Sequence, residues 1–79
     1  MKTEQVTPLS SIKAGQTARL VSINAGRALK SRLSAMGLVP NVQLTVVNNG
    51  HPGPVVLSVR GSRLMLGRGM ADKVMVVQV

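Results

Sequence analysis

Few side chains in this sequence of 79 residues are equipped for chemistry. General acid–base work needs a carboxylate or imidazole held close to a partner. The carboxylates are Glu4 and Asp72, one near each end of the chain. The single imidazole, His51, stands in Asn48-Asn49-Gly50-His51-Pro52-Gly53-Pro54, a run that reads as an exposed loop. One imidazole and two distant carboxylates make no metal cage. There is no cysteine, which removes thiol nucleophiles, thiolate ligands and disulfides together. Met36, Met65, Met70 and Met75 are dispersed and read as core filler rather than a thioether site. Gly67-Arg68-Gly69 lacks the spacing and the closing Lys-Ser/Thr of a phosphate loop. The sequence thus predicts no enzyme, no metal site and no cofactor.

What remains is positive charge. Ten Lys and Arg against two acidic residues give a net charge of +8. Such a surface suits an acidic protein face, nucleic acid or a membrane leaflet. Arg27, Lys30 and Arg32 share one helix and its approach, and are candidates for partner binding. Arg68, between two glycines, is a further candidate for partner binding on flexible flanks. The absence of aromatics excludes a proline-helix groove and weakens base stacking. Phosphate-backbone contacts survive, so a small basic barrel that binds RNA or ribosomes is the alternative. An open strand edge would also allow self-association into a homo-oligomer.

The elements that must position these cations are short. Leu29, Leu33 and Met36 recur at helical spacing and predict one buried stripe. Gly37 is placed to take positive φ and end that helix, Leu38 to fold back over its last turn, and Pro40 to forbid continuation. Asn24 or Gly26 is placed to cap the start. Strands are predicted over Thr17 to Ile23, Val42 to Val47, Val55 to Arg60, Arg63 to Leu66 and Val74 to Val79. Thr17 to Ile23 carries apolar residues on both faces, as suits a strand that is covered twice or bends. Gly61-Ser62 marks a hairpin, and Met70 to Lys73 a single helical turn. The prediction is one mainly β domain over 1–79, with 1–7 a frayed start. About five strands and one short helix form a small closed barrel. No apolar run is long enough to span a membrane, and the N-terminus lacks a signal peptide's apolar segment, so a cytoplasmic protein is expected.

The order of these features resembles the FeoA family. The matching residues are Leu9, Ile12, Gly15, Ala18, Leu20 and Ile23, followed by Arg32-Leu33-Ser34-Ala35-Met36-Gly37-Leu38-Val39-Pro40. Gly53-Pro54-Val55 and Gly61-Ser62-Arg63-Leu64-Met65-Leu66 fit the later hairpin, and Ala71 and Val74-Met75-Val76 the closing turn and strand. Asn41 stands where the family has glycine, and Gly67-Arg68-Gly69-Met70 replaces a stretch that is usually richer in charge. The resemblance implies an SH3-like barrel that accompanies FeoB, a ferrous-iron transporter with a cytoplasmic GTPase domain. It implies an accessory protein that holds no iron, peripheral to the inner membrane through its partner. It also implies kinship of fold with the C-terminal domain of metal-dependent repressors.

Overall fold

The computed structural model describes residues 5–50 and 52–79. Glu4 and His51 lie outside the described residues, and so do the readings made of them. In chain order the elements are β1 (Thr7–Pro8), a 3₁₀ turn (Leu9–Ser11), β2 (Thr17–Ile23), α1 (Arg27–Ala35), β3 (Gln43–Asn48), β4 (Val55–Val59), β5 (Ser62–Leu66), α2 (Arg68–Ala71) and β6 (Val74–Gln78). Six antiparallel strands form one sheet in the order β1-β6-β2-β3-β4-β5.

The strands follow the alternation in the sequence. In β4, Val55, Leu57 and Val59 are buried while Val56 and Ser58 are half-buried. Val42, Leu44 and Val46 are likewise buried, with Gln43 and Val47 exposed. Two β-bulges curl the sheet. Leu20 pairs with Val76 and Ser22 with Met75, so Val21 is an extra residue in β2. Val46 pairs with Leu57 and Asn48 with Val56, so Val47 is an extra residue in β3. A bulge bends its strand and shifts the inward–outward phase beyond it. Val21 and Val47 are exposed in step with the alternation before them, and the shift explains why Ile23, rather than Ser22, returns to the core. Thr17 to Ile23 is therefore a strand that bends.

Three expectations change. The first is the strand count: Thr7 and Pro8 pair with Val76 and Met75 and add a sixth strand. Two residues have no internal period, so only the partner strand reveals them. The second is closure. The sheet ends at β1 and β5, and among the described residues no ladder joins them. Brevity and a proline protect the β1 edge. The third is the role of methionine. Met36 is 42% and Met65 66% exposed, and neither belongs to the core. The core is Leu and Val with Ile and Ala, including Leu9, Leu20, Leu33, Leu38, Leu44 and Leu57.

The hairpin joining β4 to β5 turns at Arg60-Gly61, one residue earlier than expected, because Val59 pairs with Ser62. Both turn residues have positive φ, 50° and 84°. This is the type I′ geometry that matches strand twist, and a glycine at its second position fits it without strain. The last helix also starts early, with Gly67 as its N-cap, and Ala71 is its buried residue.

Helix α1 ends as its residues predict. Gly37 has φ +99°. Its N–H donates to the Ser34 carbonyl at 3.0 Å, and the Leu38 N–H donates to the Leu33 carbonyl at 3.0 Å. These two bonds constitute a Schellman motif, which satisfies carbonyls the helix leaves open. A Cβ at Gly37 would meet only Val59 Cγ1 at 3.9 Å, an ordinary contact, so positive φ, not crowding, selects glycine here. Asn41 has φ +74°, a conformation asparagine tolerates in glycine's place. The reversal brings Leu38 fully into the core. Met36, expected as the third residue of the buried stripe, is the C-cap with φ −85° and ψ 1°. The chain leaves the helix there, and Leu38 takes the inward position. Leu33 is buried and Leu29 packs against the core beside it.

Candidate docking groove

Arg27, Lys30, Ser31 and Ser34 recur at i, i+3, i+4 and i+7, which places them along one face of α1. That face forms one wall of a groove of about 360 Å³, whose other lining residues are Leu20, Val21, Ser22 and Ile23 of β2, with Leu38 and Pro40. The floor is built by the bulge and the helix end together. Val21, the extra residue of the bulge, faces outward beside exposed Ser22, and the Schellman reversal brings Leu38 back beneath the helix.

The electrostatics of the groove are one-sided. Arg27 and Lys30 are exposed, and neither makes an ion pair or side-chain hydrogen bond with any described residue. No lining residue carries a carboxylate. The N-cap of α1 is Gly26, without a side-chain cap bond, and its first turn holds no acidic residue. The positive end of the helix dipole therefore adds to the cations beside it.

The four candidate cations do not form one set. Arg27 and Lys30 line the groove, whereas Arg32 does not. Arg32 lies in the last turn of α1, where a cation complements the dipole's negative end. Arg68 belongs to a different corner. It is half-buried at the start of α2, and its Nη2 donates to the Gly50 carbonyl at 3.1 Å. Gly67 and Gly69 do not act as loose flanks, because one caps α2 and the other lies within it.

The same corner ties down Asn49 and Gly50, which follow β3. Asn49 Nδ2 donates to the Ser10 carbonyl at 2.8 Å and to the Ile12 carbonyl at 2.7 Å. Ser10 Oγ in turn donates to Asp72 Oδ1. Asp72 thus serves the junction between the 3₁₀ turn and α2. No group of three or more His, Cys, Asp or Glu suited to a metal occurs among the described residues.

The sequence names the cations of the groove's wall and only part of its floor. Leu38 and Pro40 are singled out by the sequence as the helix stop, whereas Val21 and Ser22 are not singled out as site residues. The usable signal is the presence of apolar residues on both faces of Thr17 to Ile23, which fits a bulge that lets Ile23 join Ala18 and Leu20 in the core.

Fold and site define a small SH3-like β protein with a cationic, apolar-floored groove beside its helix. The chain belongs to the FeoA family, a family associated with ferrous iron transport: the FeoA domain model matches residues 7–78. It is 39% identical over 69 residues to a Methanocaldococcus jannaschii protein described as "Putative Fe(2+) transport protein A", covering 87% of this chain and 83% of that one. A crystal structure of an iron uptake regulatory protein, FeoA, superposes with a TM-score of 0.88 at 35% identity, over 95% of this chain and 100% of that one. A manganese-dependent transcriptional repressor shares the fold, with a TM-score of 0.86 at 18% identity, over 100% of this chain and 45% of the repressor.

Proposed function

We propose that this chain is a non-enzymatic accessory protein of ferrous iron uptake. It works in the cytoplasm by docking on a FeoB-like transporter, and regulates or assembles transport without holding iron. The observation that carries this reading is the pair Arg27 and Lys30, uncompensated on the wall of an apolar groove. Family membership supplies the process, and the groove supplies a surface for a protein partner. Complementary charge accelerates and orients such an encounter.

The test is a titration of the full chain against the soluble GTPase domain of the FeoB-like protein from the same organism, at low and moderate salt. Saturable binding that survives moderate salt is expected. Arg27→Glu with Lys30→Glu should weaken it at least tenfold, and Arg32→Glu much less. Equal affinity for the double variant would remove the groove from the interface. Absence of binding at both salt concentrations would overturn docking on the GTPase domain. Tighter, steeply salt-dependent binding to RNA would favour the nucleic-acid alternative instead.

A further inference from the structure

The groove between α1 and β2 combines a floor and a wall of opposite character. Leu20, Ile23 and Leu38 are buried beneath it, while Val21 remains 36% exposed. Arg27 and Lys30 stand on the wall without a partner among the described residues. Each class of occupant would meet these two features differently.

A purely apolar occupant would desolvate two cations without pairing them, which is unfavourable. A second copy of this chain would bring another net charge of +8 against the first, and like charges oppose association. A nucleic-acid strand would match the cations and leave the floor idle, because bases stack on aromatic side chains and the chain has none. A segment bearing both carboxylates and bulky apolar side chains satisfies wall and floor together.

We propose that this groove receives a short acidic amphipathic segment of a partner protein. One or two bulky apolar side chains rest on Val21, Ile23 and Pro40, and flanking carboxylates pair with Arg27 and Lys30. The volume of about 360 Å³ lies at the small end of ligand sites, roughly 300–1,000 Å³. It suits anchoring side chains rather than a whole helix. Arg27 and Lys30 are three residues apart, about 5 Å along the axis. Carboxylates one helical turn apart, or two residues apart in an extended segment, reach both. The partner's identity rests on the docking reading above, whereas the chemistry of the occupant does not.

The test uses ¹⁵N-labelled full chain and three synthetic peptides. The first alternates Asp or Glu with Leu and Trp. The second replaces its carboxylates by amides, and the third replaces its apolar residues by serine. The first peptide should give saturable amide shifts confined to residues 20–23, 27–34, 38 and 39. The amide peptide should bind at least fivefold more weakly, and the serine peptide should not saturate. Val21→Asp and Lys30→Glu should each weaken the first peptide at least tenfold, and Arg68→Ala should leave it unchanged. Val21→Ser replaces Val21→Asp if the latter loses spectral dispersion.

No saturable shift at millimolar peptide overturns the proposal. Equal binding of the serine peptide, or an undiminished affinity in a folded Val21 variant, also overturns it. Competition with the GTPase domain separates the two readings. A peptide that fills the groove without displacing the domain sinks the docking reading alone. A domain that binds while the peptide does not sinks the acidic-segment proposal alone.

Discussion

Arg27 and Arg68 each open a helix directly after a glycine N-cap, Gly26 in one case and Gly67 in the other. Both caps are extended, with φ and ψ of −66° and 167° at Gly26 and −58° and 154° at Gly67. Yet Arg27 faces an open groove, while Arg68 is half-buried and donates to the Gly50 carbonyl. Local sequence and backbone are nearly the same at the two sites, and the difference comes from what the fold places opposite each guanidinium. Around Arg68 the Asn49-Gly50 segment, the 3₁₀ turn and α2 are joined by side-chain bonds. Around Arg27 the other groove residues are aliphatic, hydroxylic or, in Lys30, cationic, and none carries a carboxylate.

The strongest way to break this contrast is to remove the anchor of the groove's wall. Leu33 is the buried residue of α1, so Leu33→Ala should cost about 2–5 kcal/mol. Thermal or urea unfolding measures it. A loss well below that range would mean that α1 is held by other contacts. The next effect lies in the tied corner. Asn49→Ala takes the donor from two backbone carbonyls, those of Ser10 and Ile12, and should cost about 1–3 kcal/mol. Hydrogen exchange should accelerate in residues 48–54 and remain unchanged in α1. Equal acceleration in both regions would show that they are not independent.

The smallest and most discriminating effect compares the two arginines themselves. Arg68→Met keeps the aliphatic stem, loses the bond to Gly50, and should cost about 1 kcal/mol. Arg27→Met should leave the unfolding midpoint unchanged and instead weaken partner binding. If both variants lose stability equally, the division between a structural and a recognition arginine fails.

Much of the fold was legible because its signals are short-range. Alternation over Val42 to Val47 and Val55 to Val59 places one face inward without reference to the rest of the chain. Gly37, Leu38 and Pro40 specify a helix stop through φ preference and a missing N–H, properties of single residues. Net charge and the lack of cysteine and aromatics follow from composition alone and narrow the classes of partner. The family, too, was readable from Arg32 to Pro40 and the pattern around it.

Tertiary structure decided whatever depends on residues distant in sequence. The strand at Thr7–Pro8 exists only through pairing with β6. Met36 is exposed because Leu38 takes the inward place after the chain reverses. Asn49 reaches carbonyls 39 and 37 residues away, and Arg68 one 18 residues away. The bulge at Val21 arises where β2 and β6 mismatch by one residue, and it sets the floor that gives Arg27 and Lys30 something to border. The sequence by itself determined most of the elements and their faces, the sign of the charge and the family. Which cations remain free, and what lies beside them, depended on long-range packing, because a side chain's partners are chosen by the fold and not by its neighbours in the chain.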